Sequence, residues 1–246
     1  MHENSDPMTY FVVEKPTPIL NTPCFRRVFG RVLPFDEKGL VRELEMIAFP
    51  GMVFEVIQSM RDHILKVETC SYFAAKLFID QRFGCLQKNR PPLLKRKLPP
   101  AELILKRMKK CVGLPYVWGG NYAAGIPEWK TYYPPGKSLS EIEEAHWCFR
   151  GVDCSGLLYE AAEGCVPRNT SEQMKMGEEV SIDSLKPLDL FFYPGHVFIL
   201  LNEDEVIESR LEFGGVTITP LRERLKGLDS FFIKRFHPQT ISSQKF

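Results

Sequence analysis

The sequence predicts an α+β protein in two parts, a small β-barrel followed by a segment in which helices precede an antiparallel meander. Three observations predict it. Short runs rich in β-branched and aromatic residues, separated by turns, fill the chain to about residue 90. The stretch KNRPPLLKRKLPP (88–100) joins a basic cluster to two proline pairs and reads as a linker. Beyond it, helical spacing gives way to strand patterns from Leu188 onward.

The first part contains the strand-like runs TYFVVEK, FRRVFGRVL, LVRELEMIAF, MVFEVIQS, HILKVET and KLFIDQRF. Pro50-Gly51 and the MRD segment before His63 supply turns. After the linker, AELILKRMKKCVG places Leu103, Ile104, Met108 and Cys111 or Val112 on one helical face, with Gly113 as a stop. SGLLYEAAE (155–163) forms a second helix, with Gly164 suited to the left-handed position that follows its end. Thr170 and Gln173 have capping-box spacing, which predicts a short helix to about residue 176. LFFYPG, HVFILL, VIESRLEF, VTITPL and FFIKRF then read as successive strands. The expected domains are 1–95 and 96–246.

Over 246 residues, 32 basic and 31 acidic side chains leave a net charge of +1, so nothing in the composition calls for nucleic acid or an anionic membrane surface. No window approaches the roughly 18 apolar residues of a membrane span, and the amino terminus lacks the basic and apolar regions of a secretory signal. A cytoplasmic location is therefore expected. The seven cysteines (24, 70, 85, 111, 148, 154, 165) are odd in number and lack CxxC spacing, which argues against a complete disulfide framework and against a zinc site. No metal or organic cofactor is expected.

Cys154, in GVDCSGLLYE, stands at the start of a helix, where unpaired backbone N–H groups and the positive dipole end favour a thiolate. A nucleophilic thiol needs a base, and the base needs a group to orient it. His2, His63 and His237 lie in the tails or the first part, and His146 belongs to a polar segment only eight residues before Cys154. His196, opening an apolar strand after a Pro-Gly turn, is the better base. Glu208 lies twelve residues on, across a hairpin turned near Asn202 to Asp204. The even separation is compatible with one shared sheet face, so its carboxylate is positioned to accept the Nδ1–H of His196.

LPYVWGG (114–120), VDCSGLLYEAA (152–162), PRNTSEQ (167–173), LKPLDLFFYPGHVFILL (185–201) and VIES (206–209) resemble, in order and spacing, the NlpC/p60 family of papain-like cysteine peptidases. The resemblance covers roughly residues 101–233. It implies a catalytic domain with N-terminal helices packed on an antiparallel sheet. It also implies Cys154 as nucleophile, His196 as general base and Glu208 as orienting residue. Tyr116 matches a tyrosine near the oxyanion site, Asp153 and Ser155 match residues lining the substrate pocket, and Asn169 and Thr170 match a pair that helps hold the peptide's amino end. The first ninety residues resemble the bacterial SH3-like domains that precede such catalytic domains.

The activity implied is hydrolysis of the amide between γ-D-glutamate and diaminopimelate (or lysine) in peptidoglycan stem peptides. Together with a cytoplasmic location, it predicts muropeptide degradation or recycling, with a stem peptide or muropeptide as partner. Three features depart from the family pattern. Glu208 stands where histidine is more common, Asn169 where aspartate is common among muropeptide-specific members, and about twenty extra residues separate Y-x-W-G-G from DCSG. That insertion is expected to form a loop near the cleft, with Trp129, Tyr132, Tyr133 and Trp147 as walls. A thiol acyltransferase or amidase of the same fold and a non-catalytic cell-wall-peptide binding module are the alternative readings.

Overall fold

The computed structural model describes residues 8–238; His2 and the terminal residues lie outside them. By its contacts the chain divides into two compact units, one formed by residues up to Lys95 with Trp118–Arg150, the other by Arg96–Val117 with the residues from Gly151 onward. Elements are numbered in chain order. Among the described residues no helix is long and apolar enough to cross a membrane.

The first unit is an antiparallel sheet of β1 (Thr9–Val13), β2 (Thr17–Leu20), β3 (Leu44–Ala48), β4 (Val53–Ser59), β5 (Ile64–Glu68), β6 (Leu77–Asp80) and β7 (Gly84–Gln87). Its order is β3-β2-β6-β5-β4-β1-β7, and among the described residues no pairing joins β3 to β7. The seven strands form one sheet without a closing pairing among the described residues, so the expected small SH3-like barrel is not shown. Phe11 of β1 faces Phe54 of β4, and both are fully buried. Pro50-Gly51 forms the expected turn, with Gly51 at φ +83°. FRRVFGRVL, expected as a strand, instead opens with helix α1 (Phe25–Val28). Phe25, Val28 and Phe29 are spaced by three and four residues, so the helix buries all three on one side, whereas a strand would divide them between two faces.

The insertion contributes to this unit's core. Its elements are β8 (Asn121–Tyr122), α3 (Trp129–Tyr132) and α4 (Glu141–Trp147). Trp129 stacks on Tyr133 with ring centroids 4.3 Å apart and meets Phe29 and Phe149 edge-on. Trp147 donates its indole N–H to the Tyr133 carbonyl at 2.9 Å. Trp129, Tyr133 and Trp147, expected as cleft walls in a loop, are buried core residues, because each ring removes a large apolar area from water only inside such a cluster. Asn121 works as a one-residue partner for β3, accepting from Ile47 N at 2.8 Å and donating to Ile47 O at 2.9 Å. The capping box lies here, at Ser140 and Glu143 ahead of α4, and not at Thr170–Gln173.

The second unit sets α2 (Ala101–Lys110), β9 (Gly151–Val152), α5 (Cys154–Ala161), α6 (Thr170–Gln173) and α7 (Leu221–Leu225) around a sheet. The sheet contains β10 (Glu178–Glu179), β11 (Leu190–Tyr193), β12 (His196–Leu200), β13 (Glu205–Arg210), β14 (Gly215–Pro220) and β15 (Phe232–Arg235), in the order β10-β15-β11-β12-β13-β14. Phe191, Phe198, Leu200, Val206, Leu221 and Ile233 form a buried cluster on this sheet. Helix α5 packs against α2 and on β12 and β13, as helices preceding a meander require. Seven of its eight residues are buried, so its position follows from apolar burial more than from helix propensity. His237, read from sequence as tail, is buried and its Nε2 is 2.9 Å from the Pro99 carbonyl.

Candidate active site

Cys154 is the first residue of α5 and is 7% exposed. The preceding residue, Asp153, is extended (φ −89°, ψ −176°) and caps the helix by accepting from Gly156 N–H at 2.7 Å. The sulfur thus stands at the positive end of a capped helix, which favours negative charge there. Ser209 Oγ donates to the Val152 carbonyl at 2.6 Å, tying the segment that leads into α5 to strand β13. The same segment is bridged to Tyr116, whose neighbour Pro115 is bridged to Gly215. Gly215 has φ +152° and a Cβ there would lie 1.9 Å from the Leu114 carbonyl oxygen, so this position accepts only glycine.

His196 opens β12 and Glu208 lies on β13. Ile199 pairs with Ile207 and Leu200 with Val206, which puts Glu208 opposite Phe198 and His196 two residues further along. Even spacing keeps both on one face, as expected. The ring contact differs from the expectation: His196 Nε2–H, not Nδ1–H, donates to Glu208 Oε2 at 2.7 Å. Nδ1 is the ring nitrogen that this bond leaves, and Cys154 lies close enough to His196 to raise its imidazole. The structure thus brings Cys154, His196 and Glu208 into one connected set.

The sequence reading missed two neighbours. Arg224 of α7 donates from Nε to Glu208 Oε1 and from Nη2 to Glu208 Oε2 at 3.1 Å, and Nη2 also donates to Tyr193 Oη at 2.8 Å. The Tyr193 ring lies 5.1 Å from the His196 ring. Burial pushes the Glu208 carboxyl up, but hydrogen bonds from His196 and Arg224 outweigh it and hold the group below the usual range. Burial also pushes the His196 imidazole down, yet the hydrogen bonds and charges of Cys154 and Glu208 raise it to about 9.

Because His196 binds its proton more tightly folded than unfolded, its stabilisation is complete below its unfolded value of about 6.5 and is lost as pH rises through about 9. Urea titrations at pH 7 and pH 9.5 are therefore expected to show a larger loss of stability for the parent chain than for His196→Gln. Equal losses would contradict the assignment.

The remaining sequence-predicted residues belong to α5 and α6 or to their N-caps. Thr170 Oγ1 is 3.7 Å from Cys154 Sγ. Asn169 is the N-cap position of α6, with no side-chain capping bond. Gln173, expected in a capping box, instead donates to the carbonyls of Ser155 and Pro167 at 3.1 and 2.9 Å. Arg168, which the sequence reading did not single out, is 3% exposed and grips both oxygens of Asp153 at 3.0 and 2.7 Å while donating to Ser155 Oγ at 3.0 Å. Asp153 is therefore the anion of a buried ion pair with Arg168, a pairing the sequence reading did not anticipate. The Pro-Arg dipeptide before Asn169 was the available signal.

Residues 113–229 match the model described as "NlpC/P60 family". Among curated proteins, the peptidoglycan endopeptidase RipB of Mycobacterium tuberculosis is 31% identical over 129 residues, 50% of this chain and 48% of the relative. The γ-D-glutamyl-L-lysine dipeptidyl-peptidase of Bacillus subtilis is 30% identical over 125 residues, 50% of this chain and 33% of the relative. The chain thus spans about half or less of the curated relatives it matches. A solved structure of M. tuberculosis RipB aligns with 28% identity and a TM-score of 0.40 over 55% of this chain and 63% of that one. The stretch that matches the NlpC/P60 family model, residues 113–229, spans Cys154, His196 and Glu208.

Proposed function

We propose that the protein is a cysteine peptidase that hydrolyses peptidoglycan stem peptides at the amide following γ-D-glutamate. The observation that carries this reading is the set of Cys154 at a helix start, His196 and Glu208, within the stretch that matches the NlpC/P60 family model. The names of the relatives support the substrate class: one cuts peptidoglycan and another a γ-D-glutamyl-L-lysine peptide.

In this mechanism the Cys154 thiolate, paired with the His196 imidazolium, attacks the amide carbonyl. Negative charge on the carbonyl oxygen develops at the N-terminal end of α5, with Tyr116 beside it. His196 then passes its proton from nitrogen to the leaving amine as the C–N bond breaks, leaving a thioester on Cys154. Water, activated by the now neutral His196, attacks the thioester and restores the thiol. Glu208 accepts the Nε2–H throughout, which keeps Nδ1 directed at the sulfur. Thr170 stands 3.7 Å from the sulfur, and it is proposed, with Ser155 and Asn169, to line the peptide. Asp153 is proposed to contribute through its pairing with Arg168. A role in muropeptide degradation or recycling inside the cytoplasm is part of the same proposal.

The test is liquid chromatography with mass spectrometry of muropeptides from isolated peptidoglycan, incubated with the parent chain and with Cys154→Ala. The expected result is loss of stem peptides beyond D-glutamate with the parent chain alone. Equal product with Cys154→Ala would exclude the thiol as nucleophile.

A further inference from the structure

We propose that Arg224 is a positioning residue for this site: braced by Tyr193, it grips both oxygens of Glu208 and so fixes the carboxylate that orients the His196 ring. The inference rests on the reading of Cys154, His196 and Glu208 as the catalytic set. Glu208 Oε2 receives His196 Nε2–H at 2.7 Å and Arg224 Nη2–H at 3.1 Å, so one oxygen serves both partners while Arg224 Nε holds the other. The guanidinium lies 4.6 Å from the Phe198 ring centre and 5.0 Å from that of Tyr193, which confines it between aromatic faces. Glu208 is fully buried and Arg224 only 7% exposed.

The reaction cycle gives the clamp its purpose. His196 offers Glu208 a positive partner only while it is protonated, and it must surrender that proton to the leaving amine. At that moment a fully buried carboxylate would lack a cation if Arg224 were absent, and unpaired buried charge is strongly disfavoured. A permanent cation on the far side keeps Glu208 anionic through both halves of the cycle. The planar fork also sets the carboxylate plane, and with it the imidazole plane.

The experiment compares Arg224→Met, Arg224→Lys, Tyr193→Phe and His196→Ala by the pH dependence of Cys154 alkylation with iodoacetamide, which needs no knowledge of the substrate, and by kcat and KM on muropeptides. For Arg224→Met we expect kcat to fall about 10- to 100-fold with KM within about three-fold. The acidic limb of alkylation should move upward by about one pH unit, because Glu208 takes up a proton more readily without its cation. Arg224→Lys should return the limb and recover kcat to within about five-fold. Alkylation unaltered by His196→Ala would remove the catalytic set itself. Alkylation altered by His196→Ala but with parent rates and limb in Arg224→Met would overturn the positioning role alone. Should Arg224→Met fail to fold, Tyr193→Phe decides, since it removes the brace and keeps the ion pair. A several-fold loss of kcat at unchanged KM and melting temperature supports the inference, and parent kcat overturns it.

Discussion

His196→Ala is expected to lower kcat by about 10²- to 10⁴-fold while leaving KM nearly unchanged, the range that a positioned acid–base group contributes. The imidazole joins Cys154 to Glu208, and no other histidine of the second unit stands in its place: His237 is bonded to the Pro99 carbonyl. The imidazolium also stabilises the thiolate, so alkylation of Cys154 at pH 6 should slow in the variant as well. Steady-state kinetics on muropeptides, with alkylation as a second readout, check the prediction. A variant that retains a tenth or more of parent kcat would place the base elsewhere.

Arg168→Ala is expected to destabilise the second unit by about 3–5 kcal/mol, the usual consequence of stripping one partner from a buried ion pair. The side chains of Arg168 and Asp153 are 2% and 11% exposed and share two short hydrogen bonds. Asp153 also caps α5, so a displaced carboxylate would loosen the turn that carries Cys154. Urea unfolding followed by circular dichroism measures the effect. An unchanged midpoint would show that the pair is dispensable for stability, and Arg168→Lys, which keeps the charge but not the fork, should fall between the two.

What the sequence made legible was mainly local chemistry. Cys154 at a helix start, the strand opened by His196, and Glu208 on the next strand with the same face parity all followed from spacing, and the structure joins them. The irregular backbone of residues 88–100, which form neither helix nor strand, also followed from its prolines. The ring nitrogen was misassigned because parity gives a shared face but not the register, and the two-residue offset between His196 and the position opposite Glu208 turns Nε2 toward the carboxylate.

Tertiary placement was not legible. Arg224 lies sixteen residues beyond Glu208, in a short helix reading LRERL whose charges resemble those of any solvated surface. Only the return of α7 over the sheet aims it at the site. The insertion misled for a related reason: its aromatic residues fit either a cleft wall or a core, and the partners that make them core, Phe25, Phe29 and Phe83, are distant in sequence. The order of the seven strands was likewise not legible, because alternation of apolar residues does not determine strand pairing.

The most direct measurement is mass spectrometry of L-Ala-γ-D-Glu-meso-diaminopimelate and its α-linked isomer after separate incubation with the parent chain. The account predicts release of free diaminopimelate from the γ-linked tripeptide alone. Release from both isomers, or from neither while iodoacetamide still reacts rapidly with Cys154, would contradict a peptidase specific for the bond after γ-D-glutamate.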